Sequence, residues 1–431
     1  MERLRPVLRG LRVAGSASPP PSEPPPAAAP PAAAPSSHRH QALETIEPRL
    51  REIYGQREFG ENPGRLPLVF AANWLADSSG YTIFESIPGG EKMELACYVA
   101  ASGERSVLPV GERDAARKDA KLSPDGQRIV FGDKGNLHVR RNSGDVVAIP
   151  LTTDPPGPIE SGRAAWSPNG KQIAFVQTDS SKVRLRSSLT PGDPSYPKVR
   201  QTRFARVGGV IPNLKVGVVD AGGGATNWLE LGSSGILSPG AAEGFYLGHV
   251  NWAGNSDELL VEKLSRFRDE REFLLIQVAT GKVSRIFHER DPAWVVASIA
   301  KNEGLEWIRG GQAFIVLSEK DGWRHAFVCS RDGQEQSLLT PGDFDIIEKV
   351  KVDEARGWFY FNASPNNGTR KYLYRVPLDG SDKPQRSTPC QPGFHDYEFS
   401  PDGRWAFHTF STFDTPPVID LVEFPDHRVV R

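Results

Sequence analysis

Short apolar runs separated by tight polar turns recur along the chain. The stretch from Arg163 to Asp179 shows the repeating unit: Trp166 closes one apolar run, Ser167-Pro168-Asn169-Gly170 follow, and residues 173–176 form a second run. Proline sets φ at about −65° and Asn-Gly readily adopts positive φ, so the residues between the runs predict a tight turn. Because both runs are apolar and short, they predict two buried strands joined as a hairpin.

The same turn occurs at other places in the chain. Ser123-Pro124-Asp125-Gly126 and Ser400-Pro401-Asp402-Gly403 repeat it closely, and looser copies occur elsewhere. The residues that precede the turns are at positions 74, 122, 166, 252, 307, 352 and 399. Most intervals are roughly 45 to 55 residues, and further strands follow most turns, which is typical of four-stranded β-propeller blades. Coincidental turns in a β-sandwich are the less favoured alternative.

The interval between Trp166 and Trp252 is much longer than the others. It is explained either by an insertion in the third blade or by a degenerate extra blade. We favour an insertion at 183–213, after which the chain returns as a strand over 214–220. The predicted fold is therefore an all-β propeller with seven or eight four-stranded blades. The blades are expected near 66–112, 118–154, from 163 onward, 245–290, 296–342, 346–388 and 394–425.

The amino-terminal region differs in composition from the blades. Residues 1–41 are rich first in Arg and then in Pro and Ala, a composition that cannot pack a core and predicts disorder. Residues 42–65 have helical apolar spacing and predict a lead-in helix or linker. The propeller is expected over 66–425, with 426–431 as a tail. No clear signal peptide is present, which slightly favours a cytoplasmic location over export.

Composition narrows the classes of function. With 52 basic and 53 acidic residues the net charge is −1, so no overall field favours nucleic acid or an anionic membrane. Cys97, Cys329 and Cys390 lie far apart, which argues against a disulfide framework and against zinc spacing. No apolar run reaches the roughly 18 residues of a membrane span. We therefore expect no nucleic-acid partner, no membrane span, no metal and no cofactor.

Several segments between the turns are more specific than the turns themselves. They are Tyr196-Pro197-Lys198, Ile211-Pro212-Asn213-Leu214-Lys215-Val216, Lys263-Leu264-Ser265-Arg266-Phe267-Arg268, Glu289-Arg290-Asp291-Pro292-Ala293-Trp294-Val295, Asp321-Gly322-Trp323-Arg324-His325 and Leu339-Thr340-Pro341-Gly342-Asp343. In this order and context, the chain resembles the N-terminal propeller of the dipeptidyl peptidase IV family of serine peptidases. The resemblance extends over about residues 66 to 425.

The resemblance implies a mainly non-catalytic role. In that family an eight-bladed propeller caps an α/β-hydrolase domain, forms part of the substrate passage and supplies a Glu-Glu pair that holds the free amino terminus of the peptide. The serine nucleophile and its Asp and His partners belong to the hydrolase domain, which would begin near Arg431. No G-x-S-x-G motif occurs, and Gly232-Ser233-Ser234-Gly235 has the wrong spacing for a nucleophile elbow. We therefore predict no catalytic residue in this chain.

The loop that would carry the acidic pair lies just before Trp166. It reads Thr153-Asp154-Pro155-Pro156-Gly157-Pro158-Ile159-Glu160-Ser161, without two adjacent acidic residues. A pair of carboxylates would hold an ammonium group through several charge-assisted hydrogen bonds, and a single one would hold it weakly. Glu160 is the candidate substrate-binding residue, and an ordinary solvated loop residue is the alternative.

Other polar residues favour structural roles. His249, His325 and His395 lie on or beside predicted strands, where packing between blades is favoured over catalysis. One dense basic cluster is consistent with a phosphate site or an acidic-partner site, although a solvated insertion or a docking surface is the simpler interpretation. The basic cluster comprises Arg184, Arg186, Lys198, Arg200, Arg203 and Arg206.

The favoured function is a non-catalytic substrate-gating or substrate-binding propeller of a dipeptidyl-peptidase-IV-like peptidase. Its expected partners are a peptide or protein and, as a further possibility, an α/β-hydrolase peptidase domain supplied in trans. Two alternatives remain open: a free-standing interaction scaffold, and a metal-dependent enzyme that uses the central channel.

Overall fold

The strands of this protein form consecutive antiparallel sheets. The computed structural model describes residues 72–86, 93–108, 121–142, 148–154, 157–190, 198–231, 244–295 and 304–431, together with Pro48 and Tyr196. These residues form seven four-stranded sheets and one two-stranded ribbon. Each four-stranded sheet is one blade of a propeller. Apart from Pro48, the predicted disordered segment 1–41 and lead-in helix 42–65 lie outside the described residues.

Among the first three blades, blade 3 contains the two-stranded ribbon. Blade 1 comprises β1 (Ala72–Trp74), β2 (Gly80–Ser86), β3 (Met93–Val99) and β4 (Arg105–Val107). Blade 2 comprises β5 (Lys121–Leu122), β6 (Arg128–Asp133), β7 (Asn136–Arg141) and β8 (Ile149–Pro150). Blade 3 comprises β9 (Ile159–Trp166), β10 (Gln172–Asp179), β13 (Asn213–Asp220) and β14 (Asn227–Leu229), and the ribbon comprises β11 (Leu185–Thr190) and β12 (Lys198–Arg203).

The other four blades are uninterrupted meanders. Blade 4 comprises β15 (Phe245–Trp252), β16 (Glu258–Ser265), β17 (Glu270–Gln277) and β18 (Val283–Arg290). Blade 5 comprises β19 (Leu305–Ile308), a 3-10 turn (Arg309–Gly311), β20 (Ala313–Ser318), β21 (His325–Ser330) and β22 (Gln336–Leu338). Blade 6 comprises β23 (Ile346–Asp353), β24 (Trp358–Ala363), β25 (Tyr372–Pro377) and β26 (Gln385–Arg386). Blade 7 comprises β27 (Phe394–Phe399), β28 (Trp405–Ser411), β29 (Val418–Glu423) and β30 (Arg428–Val429).

The predicted architecture is confirmed, with seven blades. β10 pairs with β13 along its whole length, so the β11–β12 ribbon is an insertion within blade 3, as favoured from the sequence. Blade 7 extends beyond the predicted boundary at residue 425, because β30 pairs with β29. β30 has only two residues, Arg428 and Val429, too few to show the apolar alternation that marks a strand in sequence. Within the described part of the chain, no helix is long and apolar enough to cross a bilayer.

The tight turns are held by a buried serine. Ser167 is fully buried; its Oγ donates to Asn169 Oδ1 at 2.8 Å and accepts from Gln172 N at 2.9 Å. Gly170 has φ of 67°, which is the positive φ that the turn requires. Ser400 repeats the arrangement in blade 7. The turn therefore satisfies its own polar groups, so the apolar strands on either side can be buried.

The first strand of each blade lies at an edge of its sheet and contacts the adjacent blade. Trp166 Nε1 in blade 3 donates to Lys121 O in blade 2 at 3.0 Å, and Trp252 Nε1 in blade 4 donates to Ala165 O in blade 3 at 3.0 Å. Each of these bonds joins the first strand of one blade to the first strand of the preceding blade. Because the first strands of successive blades meet in this way, they form the inner wall of the ring, around the central channel.

Blade 1 contacts blade 7 in the same manner. Trp74 Nε1 donates to Glu398 O at 3.3 Å, and the Trp74 ring stacks on Phe407 with centroids 4.6 Å apart. Asp402 N also donates to Ser78 Oγ at 3.0 Å, which joins the tight turns of the two blades. The first and last described blades are therefore neighbours, as radial symmetry requires.

The hydrophobic core consists of layers between successive blades. One layer joins Val218 of blade 3 to Leu259 of blade 4. The next joins Phe273 of blade 4 to Phe314 of blade 5, and another joins residues of blades 5 and 6. No blade buries both faces alone, so the core depends on the repetition of sheets.

Candidate functional site

A pocket opens on the channel wall where the first strands of blades 2, 3 and 4 meet. Its volume is about 740 Å³. Lys121 of β5, Arg163 and Trp166 of β9, and His249 and Asn251 of β15 line it. We refer to this site as the channel pocket. It combines two cationic side chains with aromatic and amide groups.

A β-bulge places Arg163 in this pocket. The register between β9 and β10 shifts between Ala174 and Val176, opposite Arg163. Arg163 has φ of 53°, an unusual conformation for a residue with a side chain. Its guanidinium Nη1 donates to Leu247 O at 3.0 Å, and Nη2 donates to Gly248 O. A bulge redirects a side chain in this manner, so the backbone conformation explains the position of the guanidinium.

A second bulge faces the first one across the boundary between blades 3 and 4. The register of β15 and β16 shifts between Leu247 and Val250. There His249 N donates to Glu262 Oε2 at 2.8 Å. Glycine is required at position 248, because a Cβ there would overlap the Glu262 carboxylate. The carbonyls that bind Arg163 are thus positioned by a buried carboxylate.

A buried ionic network lies behind this wall, inside blade 4. Glu262 is fully buried, and Arg271 is 2 % exposed. Arg271 Nη1 lies 3.7 Å from Glu262 Oε1, and Arg271 Nη2 lies 2.8 Å from Glu289 Oε1. Arg271 Nη2 also donates to Leu317 O of blade 5 at 2.6 Å. The network fixes Glu262 and links the channel wall to the next blade.

Burial lowers the pKa values of the cationic groups in the pocket. Lys121 Nζ donates to Ala164 O at 2.6 Å, and burial and the Arg163 charge lower the pKa of Lys121. Burial lowers the pKa of Arg163, while the Glu262 charge opposes that shift. Burial, with the charges of Lys349 and Arg163, lowers the pKa of His249, so its imidazole is neutral at pH 7. These shifts oppose the charged forms, but Lys121 and Arg163 are exposed residues, and their ammonium and guanidinium groups offer positive charge and hydrogen-bond donors to the pocket.

The pocket lacks the groups of a hydrolytic centre. None of the described residues that line it carries a hydroxyl or a thiol, so it holds no serine-type or cysteine-type nucleophile. In the described part of the chain, no group of three or more His, Cys, Asp or Glu side chains could hold a metal ion. The described lining instead provides cationic, imidazole, indole and amide groups.

Glu160 lies away from the channel pocket, near the start of β9. Its side chain is exposed, and its Cα pairs with that of Thr178. The nearby carboxylate of Asp154 accepts from Gln177 Nε2 at 2.9 Å and from Ser161 Oγ at 3.2 Å. The Asp154 carboxylate is thus held by side chains of blade 3. The substrate-binding role of Glu160 stays a prediction.

The β11–β12 ribbon carries most of the predicted basic cluster. Arg203 Nη1 donates to Val183 O at 2.7 Å, and the Arg186 guanidinium lies 5.0 Å from the centre of the Phe204 ring. Leu189 is 66 % exposed. The ribbon therefore presents cations and apolar side chains to solvent, and its role as a docking surface stays a prediction.

Two of the three histidines considered from the sequence, His325 and His395, have the structural roles predicted for them. His325 is buried, with Nδ1 2.8 Å from Asp321 Oδ2, and its ring contacts Phe344 ahead of blade 6. His395 is buried within blade 7. His249 instead lies in the channel pocket, which its position in the sequence did not indicate.

Comparison with known proteins gives the family. Residues 92–417 match the family described as the dipeptidyl peptidase IV (DPP IV) N-terminal region. The chain belongs to this family. Two segments that carry the resemblance meet in the structure, where Val295 N donates to Arg268 O at 2.7 Å. These two segments are therefore in direct contact at blade 4.

Relatives of this family are longer than the chain. A probable dipeptidyl-aminopeptidase B of Coccidioides posadasii is 26 % identical over 331 residues, which is 69 % of this chain and 35 % of the relative. The corresponding protein of Fusarium vanettenii is 27 % identical over 348 residues, 71 % of this chain and 37 % of the relative. The chain thus spans about a third of the length of these curated relatives.

Solved structures show the same fold. Dipeptidyl peptidase 4 of Porphyromonas gingivalis superposes with a TM-score of 0.65 at 18 % identity, over 84 % of this chain and 51 % of that protein. A putative dipeptidyl aminopeptidase IV of Bacteroides ovatus superposes with a TM-score of 0.59 at 17 % identity, over 84 % of this chain and 60 % of that protein.

Sequence analysis missed the channel pocket. Lys121 and Arg163 both stand beside recognised turns, but neither is part of a motif. A bulge leaves no residue signature when the residue with positive φ is not glycine, as at Arg163. Only the closely spaced first strands of three blades bring these side chains together.

Proposed function

We propose that this chain is the substrate-binding and substrate-gating propeller of a dipeptidyl-peptidase-IV-like serine peptidase, and that it does not hydrolyse peptides itself. The family match over residues 92–417 is the observation that carries this proposal. The match spans the described blades from β3 to the end of the segment before β29. In the Coccidioides relative, most of the protein lies outside the aligned 35 %.

The sequence supports the absence of catalysis in these residues. It contains no G-x-S-x-G, the strained turn that presents the nucleophilic serine in α/β-hydrolases. The described residues that line the channel pocket supply donors and cations but no hydroxyl or thiol nucleophile. Binding and gating are the activities that such a site supports. The proposed partners are a peptide and an α/β-hydrolase peptidase domain.

An activity assay tests the catalytic part of the proposal. The purified 431-residue chain should release p-nitroaniline from Gly-Pro-p-nitroanilide no faster than buffer does. A purified dipeptidyl-aminopeptidase at the same molar concentration is the positive control. Turnover that a serine-directed fluorophosphonate abolishes would contradict the proposal.

A second experiment tests the predicted role of Glu160. If this carboxylate binds the amino terminus of a peptide, Glu160→Gln should weaken binding of Gly-Pro-Gly-Gly-amide about threefold to tenfold, since one charge-assisted hydrogen bond is lost. The acetylated peptide should bind both proteins equally. Glu230→Gln is the matched control, because Glu230 is an exposed glutamate beside the outer strand of the same blade. Equal loss in both variants would remove Glu160 from the site.

A further inference from the structure

We infer that the channel pocket binds a carboxylate of a peptide, held between Lys121 and Arg163. This inference rests on the proposed function for the choice of a peptide as ligand. It assigns a binding position on the inner wall of blades 2 to 4, at a distance from the start of β9 where Glu160 lies. Charge, backbone geometry and size support it separately.

The first observation is an imbalance of charge. Lys121 and Arg163 direct their hydrogen bonds to main-chain carbonyls, and no aspartate or glutamate is among the described residues that line the pocket. Lys349, elsewhere on the inner wall, provides a contrast, because its Nζ lies 2.8 Å from Glu306 Oε2. Lys121 and Arg163 are both exposed residues, so their charges are accessible to a ligand. The pair in the pocket has a net positive charge that a ligand carboxylate would neutralise.

The second observation is how the cations are presented. Two bulges on adjacent blades face each other, one at Arg163 and one at Gly248-His249. The positive φ of Arg163 is a strained backbone conformation for a residue with a side chain. Such strain persists only where the surroundings fix it, and here the carbonyls of Leu247 and Gly248 fix the guanidinium. The arginine is held in place before any ligand arrives.

The third observation is the donor capacity that remains. A guanidinium has five N–H groups and an ammonium has three. The bonds of Arg163 to carbonyls use Nη1 and Nη2, and Lys121 makes one bond, to Ala164 O. Further N–H groups are thus available for a carboxylate. Charge-assisted bonds from two cations to one carboxylate are shorter and stronger than neutral ones.

The size and lining of the pocket favour a peptide over a lone ion. A volume of about 740 Å³ holds several residues, whereas a water occupies only about 30 Å³ of liquid. Leu122, Trp166 and Val250 add apolar surface beside the cations. Peptide segments combine these two properties, an anionic group and apolar contact area.

Calorimetric titration with three blocked peptides tests the inference and the source of the carboxylate. The probes are acetyl-Gly-Glu-Glu-Gly-amide, acetyl-Gly-Gln-Gln-Gly-amide and acetyl-Gly-Gly-Gly-Gly with a free carboxyl terminus. The glutamine peptide should bind at least tenfold more weakly than the better of the two others. The better probe tells whether a side-chain or a terminal carboxylate is preferred. Equal binding of all three would overturn the inference.

Variants locate the bound peptide. Lys121→Met and Arg163→Asn should each weaken binding of the better probe about tenfold or more, since each removes a charge-assisted contact. Asparagine tolerates positive φ, so Arg163→Asn retains the bulge. Lys351→Met is the control: Lys351 is another first-strand lysine, it donates to Pro401 O at 2.8 Å, and it lies in blade 6. The affinity of the Lys351→Met protein for the better probe should stay within twofold of the wild-type affinity.

The outcomes separate this inference from the proposed function. Undiminished binding in both Lys121→Met and Arg163→Asn would place the peptide elsewhere and overturn only the inference. If inorganic phosphate displaced the probe at a concentration a hundredfold lower than acetate requires, the assignment of a carboxylate as the ligand would be overturned. Peptidase activity of the chain would overturn the proposed function and leave the affinity pattern intact.

Discussion

Blades 4 and 7 both bury titratable side chains, but by opposite means. Blade 4 encloses formal charges of both signs, in the network of Glu262, Arg271 and Glu289. Blade 7 encloses histidines beside aromatic rings, without an acidic side chain between them. His395 Nδ1 lies 2.9 Å from His408 Nε2, and both side chains are buried. Charged pairs and neutral rings respond differently to mutation and to acid.

The hydrogen bonds in blade 7 determine the tautomers of its histidines. His395 Nε2 lies 2.9 Å from Gln391 O, a carbonyl that only accepts, so Nε2 carries the proton. His395 Nδ1 must then accept from His408 Nε2. This leaves His408 Nδ1 as an acceptor, and it is buried without a hydrogen-bond partner among the described residues. Both rings are therefore neutral in the folded protein.

The environment of blade 7 opposes protonation. Burial, followed by the charges of His427 and His395, lowers the pKa of His408 to about 3. Burial also lowers the pKa of His427, although the charge of Asp420 opposes this shift. Burial is the main cause of the lowered pKa of His395, and Arg386 adds to it. Protonation of these imidazoles is therefore disfavoured in the folded blade.

The comparison shows that position in a repeat does not determine how polarity is buried. In blade 4 each charge depends on a partner of opposite sign, so removal of one partner is costly. The buried histidines of blade 7 carry no charge until acid supplies one. Blade 4 should therefore be sensitive to substitution, and blade 7 should be sensitive to pH.

The largest expected effect is the loss of one charge in blade 4. Arg271→Met leaves Glu262 and Glu289 buried without their shared cation, and it should lower the free energy of unfolding by about 3–5 kcal/mol. Urea denaturation followed by tryptophan fluorescence measures this. Adding Glu262→Gln and Glu289→Gln to Arg271→Met should recover part of the loss. No recovery would show that packing, and not charge, dominates this cluster.

The second effect is the acid sensitivity of blade 7. The folded pKa of His408, about 3, is below the roughly 6.5 of an unfolded histidine, so below pH 6.5 the unfolded chain binds a proton that the folded chain excludes. Stability should fall as pH falls, by about 2 kcal/mol at pH 5 from this group alone. His408→Phe should remove this part of the slope.

The control for that slope is an exposed histidine in the other blade. His288→Gln in blade 4 should retain the wild-type dependence of the unfolding free energy on pH. If the His408→Phe protein kept the wild-type slope between pH 7 and pH 5, the buried imidazole would not be the acid-sensitive group.

A smaller effect is expected from the tight turns of the two blades. Ser400 in blade 7 is fully buried and accepts from Trp405 N at 3.0 Å, so Ser400→Ala should cost about 1–3 kcal/mol. Asn255 closes the corresponding turn of blade 4, where it accepts from Glu258 N at 2.9 Å and is only half-buried. Asn255→Ala should cost less, about 0.5–1 kcal/mol. Chemical denaturation of both variants tests the order, and the reverse order would contradict it.

A further variant, with an effect of about the same size as Asn255→Ala, separates hydrogen bonding from titration within blade 7. Tyr397 OH lies 2.8 Å from His427 Nε2. Tyr397→Phe should lower the free energy of unfolding by about 1 kcal/mol at pH 7.5, because it removes this bond and retains the ring. The slope that His408 contributes between pH 6.5 and 5 should persist. Loss of that slope would mean that the hydroxyl controls the histidines.

The sequence alone determined the fold and the family. Turns such as Ser167-Pro168-Asn169-Gly170 are local, since their hydrogen bonds join residues no more than five positions apart. Local interactions of this kind can be predicted from sequence. The regular interval between successive turns predicted the blades. The insertion in blade 3 could also be predicted, because the sequence contains an apolar run over 214–220. The pairing of β10 with β13 confirmed this prediction.

Tertiary structure alone decided the sites. Arg163 and Lys121 meet only because the first strands of successive blades converge on the channel, and the positive φ of the bulge falls on Arg163 and not on the neighbouring Gly162. The partners of Arg271 and the neighbours of His408 likewise depend on which residues face one another across strands. Repetition along the chain specifies the sheets, whereas burial and charge inside them depend on contacts between residues distant in sequence.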